Sequence, residues 1–318
     1  MTMRPIIKNR MVVERHCFMS MNKTDGSPVS DNQASIIPLV SVCIPVYNGE
    51  KYIKETIQSV ISQRYDNIEI IVQDNASTDA TWNILKDLAQ TCPQLSLKRN
   101  ERNEGMAPNW NLAINRACGD YIMLLSADDL LAPGFLTACL KVIQNASVDI
   151  VTTDHFLLRK GVKVKRKISV AQGDYRNFAG TVLLLNPFSI NFSLFKKETI
   201  TRLKREGRLF SESFFTCDYD LWIRAALSGI SVHYIEQPLG TYRVHESNIS
   251  RQVIRMNRQA ALVILRHRDE LRRQCGISYR FTLFRFIIRI IRNAIIFRRF
   301  DKRMFFALSK EAVSADKM

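Results

Sequence analysis

Five short apolar runs, alternating with segments of helical spacing, constrain this chain more than any other feature of its sequence. Leu39–Val46, Ile68–Gln73, Leu95–Lys98, Tyr121–Leu125 and Val148–Thr152 are rich in β-branched and other apolar residues and read as buried strands. Between them, residues 50–63, 77–90 and 106–117 place apolar side chains at helical intervals, and Pro133 opens a further helical segment. Strands alternating with helices predict an α/β chain built on a mostly parallel sheet with crossover helices. In such sheets, ligands bind beyond the carboxyl ends of the strands. That rule selects Tyr47–Gly49, Asp74–Asp79 and Ser126–Asp129, two of which carry clustered carboxylates. No GxGxxG follows the first strand and no GxxxxGK[ST] occurs, which argues against a dinucleotide fold and a phosphate-loop NTPase.

The second half is less regular. Residues 155–170 contain KVKRK and read as a basic hairpin or loop, while residues 178–202 mix short helix and strand. Asp218–Ser228 is predicted helical, Ser231–Ile235 a strand, Gly240–His245 extended, and everything from Arg251 onward helical and basic. The longest uncharged stretch, Asn177–Phe195, contains Asn177, Gly180, Asn186, Pro187 and Asn191, so it is a poor membrane span.

Charge divides the 318 residues unevenly. The formal net charge is +16, of which +12 belongs to residues 251–318 and only +4 to residues 1–250. A near-neutral body with a basic tail argues against a nucleic-acid groove wrapping the chain, so no nucleic-acid partner is expected. Seven scattered cysteines, without CxxC or zinc-ligand spacing, suit a reducing compartment. The N-terminal residues have no apolar signal-peptide core, and Met19 and Met21 are candidate alternative starts. Residues 1–38 are polar and aperiodic and read as a disordered leader.

Four clusters carry candidate chemistry. In SADDLLAPGF, Asp128 and Asp129 could contribute to a hard-cation site, or cap the following helix. In QDNASTD, Asp74 could accept from a base N–H or a ribose hydroxyl, or simply form a turn. In FTCDYDLWIRAALSG, Asp218 and Asp220 are two residues apart and cannot share a helical face, so one should face a cleft and the other cap or pair. In TYRVHESNIS, strand alternation sends Arg243 and His245 to the same face, suited to phosphate and metal respectively, though a single His is often structural.

Taken in order, VSVCIPVYNGEKYIKETIQSVISQ, IEIIVQDNASTDAT, NERNEGMAPNWNLAI, GDYIMLLSADDLLAPGF and DYDLWIRAALSG with YIEQPLGTYRVHESNIS resemble the family 2 inverting glycosyltransferases of GT-A fold. The resemblance spans residues 39–250, taken as the catalytic domain, with 251–318 as a basic amphipathic tail. It implies that Pro45 and Tyr47 line a nucleobase pocket, with Asn48 also in the donor-nucleotide set. Asp74 would hydrogen-bond the base and Asp79 lie in the same pocket. Arg102 would sit near the sugar nucleotide, Asp129 contact the sugar or support the site, and Arg243 lie near the diphosphate. Asp128 and His245 would hold a divalent cation, Mg²⁺ or Mn²⁺, and Asp218 would be the catalytic base. Two departures stand out: Ser126 replaces the first Asp of the family's DxD motif, and Cys217 replaces a Glu before the catalytic Asp.

The implied reaction transfers a sugar from a nucleotide donor to a hydroxyl of a glycan or lipid-linked acceptor, as in bacterial cell-envelope polysaccharide synthesis. In the tail, Arg285, Arg289, Arg292, Arg299 and Arg303 fall within an arc of about 80° at 100° per residue. The segment 279–306 therefore suits an anionic membrane surface, which would place the enzyme peripherally at the inner face of the cytoplasmic membrane; the competing reading packs this helix on the catalytic domain or a second subunit. A sugar-nucleotide pyrophosphorylase-like enzyme would need a Gly-rich basic loop after the first strand, and PVYNGEKY is not one. A non-enzymatic polyanion-binding protein is the remaining alternative, resting only on net charge.

Overall fold

A computed structural model describes residues 37–166, 170–184, 186–246, 248, 252–297, 306 and 309–310. The leader at 1–36, Lys167 of the KVKRK segment, and most of the basic run after residue 297 lie outside the described residues.

The chain alternates strands and helices as its apolar pattern requires. The first half runs β1 (Val40–Val46), α1 (Ile53–Ile61), β2 (Ile68–Asp74), α2 (Thr81–Thr91), β3 (Leu95–Arg99), α3 (Met106–Asn115), β4 (Tyr121–Leu124), β5 (Leu130–Leu131) and α4 (Phe135–Asn145). The second half runs β6 (Ile150–Arg159), β7 (Val162–Lys165), β8 (Gly173–Tyr175), α5 (Ala179–Leu184), β9 (Ser193–Lys196), α6 (Lys197–Leu203), α7 (Cys217–Leu227), β10 (Val232–Val244), α8 (Val253–Arg266) and α9 (Arg268–Phe297). The strands form one ten-stranded sheet in the order β3-β2-β1-β4-β9-β6-β10-β5, with β7 beside β6 and β8 beside β10. β1 is parallel to β2 and β4, β2 to β3, and β6 to β10, whereas β9 runs antiparallel to both β4 and β6. β5 and β8 also pair antiparallel with β10, and β7 with β6, so it is the central sheet that is mostly parallel, and there the carboxyl ends of β1, β2 and β4 lie side by side.

Both faces are covered, and the strands show why. Val40, Val42, Ile44 and Val46 of β1, with Ile70, Val72 and Met123, join one apolar cluster that also takes in Ile53 and Ile57 of α1 and Phe135 and Leu136 of α4. The intervening Cys43, Ile71, Ile122 and Leu124 join a second cluster with α3, α5 and α7. Period-two alternation with apolar residues at both parities is what a sheet packed on both sides demands.

Several boundaries differ from the sequence expectation, each for a tertiary reason. β6 extends to Arg159 because it pairs with β7 across the Lys160–Gly161 turn, so the KVKRK segment begins as a hairpin arm. β10 is a single 13-residue strand with register shifts between Ile235 and Gly240, where Pro238 interrupts the ladder. The helix after Pro133 starts only at Phe135, with Gly134 in the left-handed region at its N-cap, so neither Asp128 nor Asp129 caps it. The helix placed at 77–90 starts at Thr81, because the Ser77 hydroxyl is spent on Asp74.

The basic C-terminal helices pack on the body. Ala261, Val263 and Ile264 of α8 and Leu271, Tyr279, Leu283 and Phe286 of α9 are buried in the same cluster as Trp222 of α7. Gly276, at φ +41°, kinks α9 and lets its second half cross α5. Among the described residues there is no disulfide, and no helix is long and apolar enough to cross a membrane.

One close approach is decisive for β10. A Cβ built on Gly240 would lie 2.3 Å from a ring carbon of Phe192, which is itself fully buried. Gly240→Ala is therefore expected to destabilise the fold by about 1–3 kcal/mol through overpacking. Urea denaturation should show this loss, and Phe192→Leu in the same chain should recover part of it.

Candidate active site

The carboxyl edge of β1, β2 and β3 is tied together by polar side chains. Asn48, at φ +52°, receives the Thr78 amide on its Oδ1 at 2.8 Å, while its own N–H donates to Ser77 Oγ at 2.9 Å. Asp79 accepts from the Glu50 and Thr81 amides, at 3.1 and 3.0 Å. Burial would raise its pKa, but these bonds and that from the Thr81 hydroxyl outweigh burial and hold it below the usual carboxylate value. Asn48 and Asp79 thus lock the β1 and β2 loops to each other. Pro45 pairs in register with Gln73, and Tyr47 stands half-exposed at the rim.

Asp74, at the end of β2, is fully buried. Its carboxylate accepts from the Ser77 hydroxyl and amide and pairs with Arg99 Nε at 3.1 Å. Arg99 also donates to the Ser77 carbonyl at 2.6 Å and lies 5.5 Å from the Trp82 ring centre. Arg102, by contrast, is 82% exposed and contacts only Glu104, at 2.9 Å, among the described residues. The arginine that meets the β2 carboxylate is therefore Arg99, which the motif comparison passed over. Its signal lay in strand register: β2 and β3 are parallel, and Asp74 pairs directly with Arg99.

A second group forms where β4 and β10 end. Asp128 Oδ2 lies 2.8 Å from His245 Nε2. The His245 ring stacks on Tyr52 with centroids 5.2 Å apart, and the Arg243 guanidinium lies 4.5 Å from the same ring. Arg243 further donates to the Asp128 carbonyl at 2.8 Å and pairs with Glu55 at 2.7 Å. Strand alternation does place Arg243 and His245 on one face, and Tyr52 of the α1 approach is what they share.

Asp129 behaves differently from its neighbour. It is fully buried and accepts from Asn191 Nδ2 at 2.7 Å and from the Arg243 amide at 2.9 Å. Burial, then the adjacent Asp128 charge, push its carboxyl well above the usual value, against those two hydrogen bonds. Ser126 explains part of this arrangement. Its hydroxyl donates to Asn191 Oδ1 at 3.1 Å, which turns the Asn191 amino group toward Asp129. A carboxylate at 126 has no proton to give Asn191 Oδ1, so Ser suits this position.

The third group sits at the start of α7. Asp218 lines a cavity of about 220 Å³ walled by α5, α7, α8 and α9. Burial raises its carboxyl pKa, partly opposed by backbone amides of the helix's first turn. Asp220 turns the other way, receiving Arg224 Nε at 2.8 Å and His267 Nε2 at 2.9 Å. Burial would raise Asp220 too, but these two partners hold it below the usual value. Cys217 is fully buried in the apolar cluster, where a Glu would carry an unpaired charge.

The sequence model of glycosyl transferase family 2 matches residues 41–206. An uncharacterized glycosyltransferase of Methanocaldococcus jannaschii, MJ1057, is 29% identical over 214 residues, covering 65% of this chain and 71% of its own. Among solved structures, Staphylococcus aureus TarS 1–349 in complex with UDP-GlcNAc superposes with a TM-score of 0.59 at 19% identity, over 78% of this chain and 80% of that one. The mannosyltransferase PcManGT of Pyrobaculum calidifontis, in complex with GDP-Man and Mn²⁺, gives 0.57 at 18% identity, over 89% and 87%. The chain belongs to glycosyl transferase family 2, on a GT-A scaffold.

The raised pKa of Asp218 has a sign that can be measured. Unfolded, the group titrates near 3.8; folded, it titrates higher, so the native state loses stability as pH rises from that value through the raised one. Asp218→Asn, which stays neutral, should match the wild type at low pH and melt at a higher temperature than it at neutral pH. Equal melting temperatures across the pH range would contradict the burial of this charge.

Proposed function

We propose that this protein is an inverting glycosyltransferase that moves a sugar from a nucleoside diphosphate donor to an acceptor hydroxyl, with Asp218 as general base. The observation that carries the reading is the placement of one part-buried carboxylate with a raised pKa on a cavity wall in a family 2 chain, without the cation partners that Asp220 has among the described residues. A carboxylate with a raised pKa is a stronger base and takes a proton more readily in the transition state. The acceptor oxygen gives its proton to Asp218 and bonds to C1 of the donor sugar, while the C1–oxygen bond to the diphosphate breaks. One displacement inverts the anomeric centre, and a single base suffices.

Asp74 and Arg99 are read as the nucleobase end of the donor site, with Tyr47 at its rim, Pro45 in its floor, and Asn48 and Asp79 holding its loops. Asp128, Arg243 and His245 are read as the diphosphate end. Among the described residues no three His, Cys, Asp or Glu side chains converge. The Asp128–His245 pair instead offers one oxygen and one nitrogen donor, which fits a cation that completes its shell with substrate phosphates and water. When bound, Mg²⁺ or Mn²⁺ supplies charge neutralisation to the diphosphate leaving group. PcManGT, solved with GDP-Man and Mn²⁺, supports this assignment. Asp129 is read as the support that holds Arg243 in place.

Asp218→Asn should keep donor binding and lose about 10²–10⁴-fold in turnover. Nucleoside diphosphate release across a panel of UDP- and GDP-sugars measures this; near-normal release would remove Asp218 from the mechanism. Asp128→Ala should lose Mn²⁺-dependent donor binding, and undiminished calorimetric binding would refute the cation assignment.

A second reading concerns location. Ile277, Phe281, Phe284 and Ile288 of α9 are exposed and fall within an arc of about 60° at 100° per residue. With the +12 charge of residues 251–318, this face suits an anionic bilayer surface, as expected of an enzyme working on envelope glycans at the cytoplasmic membrane. Deleting the tail is an unsuitable test, because Leu283 and Phe286 are core residues. Phe281→Ser/Phe284→Ser in the full chain should instead abolish co-sedimentation with phosphatidylglycerol vesicles. Equal pelleting of both proteins would rule the surface out.

A further inference from the structure

The cavity at Asp218 has features that removal of a proton does not require. Three of its lining residues present buried polar atoms with no hydrogen-bond partner among the described residues: Asn186 Oδ1, Thr216 Oγ1 and Thr282 Oγ1. Thr216 is 3% exposed and Thr282 1%. A buried hydroxyl left unpaired is costly, so native structures keep few of them. None of these three atoms has surface open to the cavity in the free protein, so each reaches a polyhydroxylated guest only when its side chain turns at the cavity wall. The volume, about 220 Å³, lies below the roughly 300–1,000 Å³ of sites for drug-sized ligands and suits a single sugar ring.

The cavity also holds a cation. Arg285 of α9 lines it and donates through Nη1 to the Leu184 carbonyl at 2.7 Å, which uses one of five guanidinium donors. Among the described residues no carboxylate pairs with Arg285. Asp218 does not serve, since its ionisation is set by burial and backbone amides and a nearby guanidinium would have lowered it. The cavity therefore has a carboxylate at one place on its wall and a permanent cation at another, with two unpaired threonine hydroxyls buried in that wall.

We propose that this cavity is the acceptor subsite and that it selects a saccharide unit bearing an acidic group, carboxylate or phosphate, which Arg285 holds while the attacked hydroxyl faces Asp218. The proposal rests on the reading of Asp218 as general base. Arg285 and Thr282 come from α9 and Met256 and Asn257 from α8, all beyond the 41–206 span of the family match, so acceptor choice is written in the C-terminal helices.

The test uses the full chain with a donor identified from the UDP- and GDP-sugar panel. Acceptor probes are matched pairs: methyl glucoside against methyl glucuronide, methyl galactoside against methyl galacturonide, and glucose against glucose 1-phosphate. An acidic member should be used at least about tenfold better than its neutral partner, and Arg285→Gln should shrink that ratio by about 10–100-fold, as expected for losing a charged hydrogen bond. The hexuronide and 1-phosphate arms separate the two sources of the acid group. Thr282→Val should raise acceptor KM while leaving the free protein as stable as before or more so, because an unpaired hydroxyl is removed. Equal use of acidic and neutral probes, no use of any acidic probe, or an unchanged ratio in Arg285→Gln would each overturn the proposal. Failure of the base reading shows separately, as undiminished nucleoside diphosphate release by Asp218→Asn with any acceptor.

Discussion

The edge of the sheet where β5 meets β10 depends on one buried carboxylate. Asp129 has no exposed surface, and burying such a group is tolerable only when its oxygens are satisfied. Two donors satisfy it, the Asn191 side chain and the Arg243 amide, which come from segments 62 and 114 residues away. Those bonds fix the end of β10 against the turn that leads into β5. With Asp129 turned inward, the turn between β4 and β5 leaves Asp128 part-exposed, and there it meets His245. The Asn248 side chain then closes the far end, its Oδ1 accepting from the His245 amide and its Nδ2 donating to the Arg243 carbonyl. Adjacent acidic residues thus divide into one that builds the edge and one left at its surface.

The same division decides what could be read in advance. β1, β2, β4 and α7 were legible because each buries a periodic apolar face, and periodicity is local. Arg243 and His245 were legible as a pair because strand alternation is local as well, whereas Asp128 was joined to His245 only through the resemblance to family 2. Arg99 was not, because its meaning comes from lateral pairing of β2 with β3, across 25 residues of sequence. Arg102 carries the more visible motif position, yet it lies on a surface turn beside Glu104. The inward turn of Asp129 was equally hidden, since nothing near it in sequence names Asn191 as its partner. The continuity of β10 through Pro238 was obscured because a proline usually argues against a central strand.

The basic tail shows how charge can mislead about packing. Counting Lys and Arg marks residues 251–318 as an appendage to a near-neutral body. Burial shows that α8 and α9 complete the apolar cluster over one sheet face, with Tyr279 and Leu283 as fully buried as Trp222. Net charge is a property of the helix surfaces that face outward, and it says little about the faces that do not. One helix can therefore serve three masters: a core face at Tyr279, Leu283 and Phe286, a cavity face at Thr282 and Arg285, and an outer apolar face at Phe281 and Phe284.

Asp218 and Asp220 make the closing argument. They share a helix turn and a helix dipole, with Asp220 buried and Asp218 part-buried on the cavity wall. What separates them is a partner: Asp220 takes Arg224 from its own helix and His267 from the α8–α9 junction, and its carboxyl is held low. Asp218 takes neither, and burial pushes its carboxyl up. Two carboxylates driven in opposite directions suit different tasks: Asp220 that of a structural anchor and Asp218, in the mechanism proposed above, that of a proton acceptor. The anchor ties the C-terminal helices to α7, and those helices in turn wall the cavity in which the acceptor carboxylate sits. Asp220 thus acts on the cavity through His267, by holding the α8–α9 junction against α7.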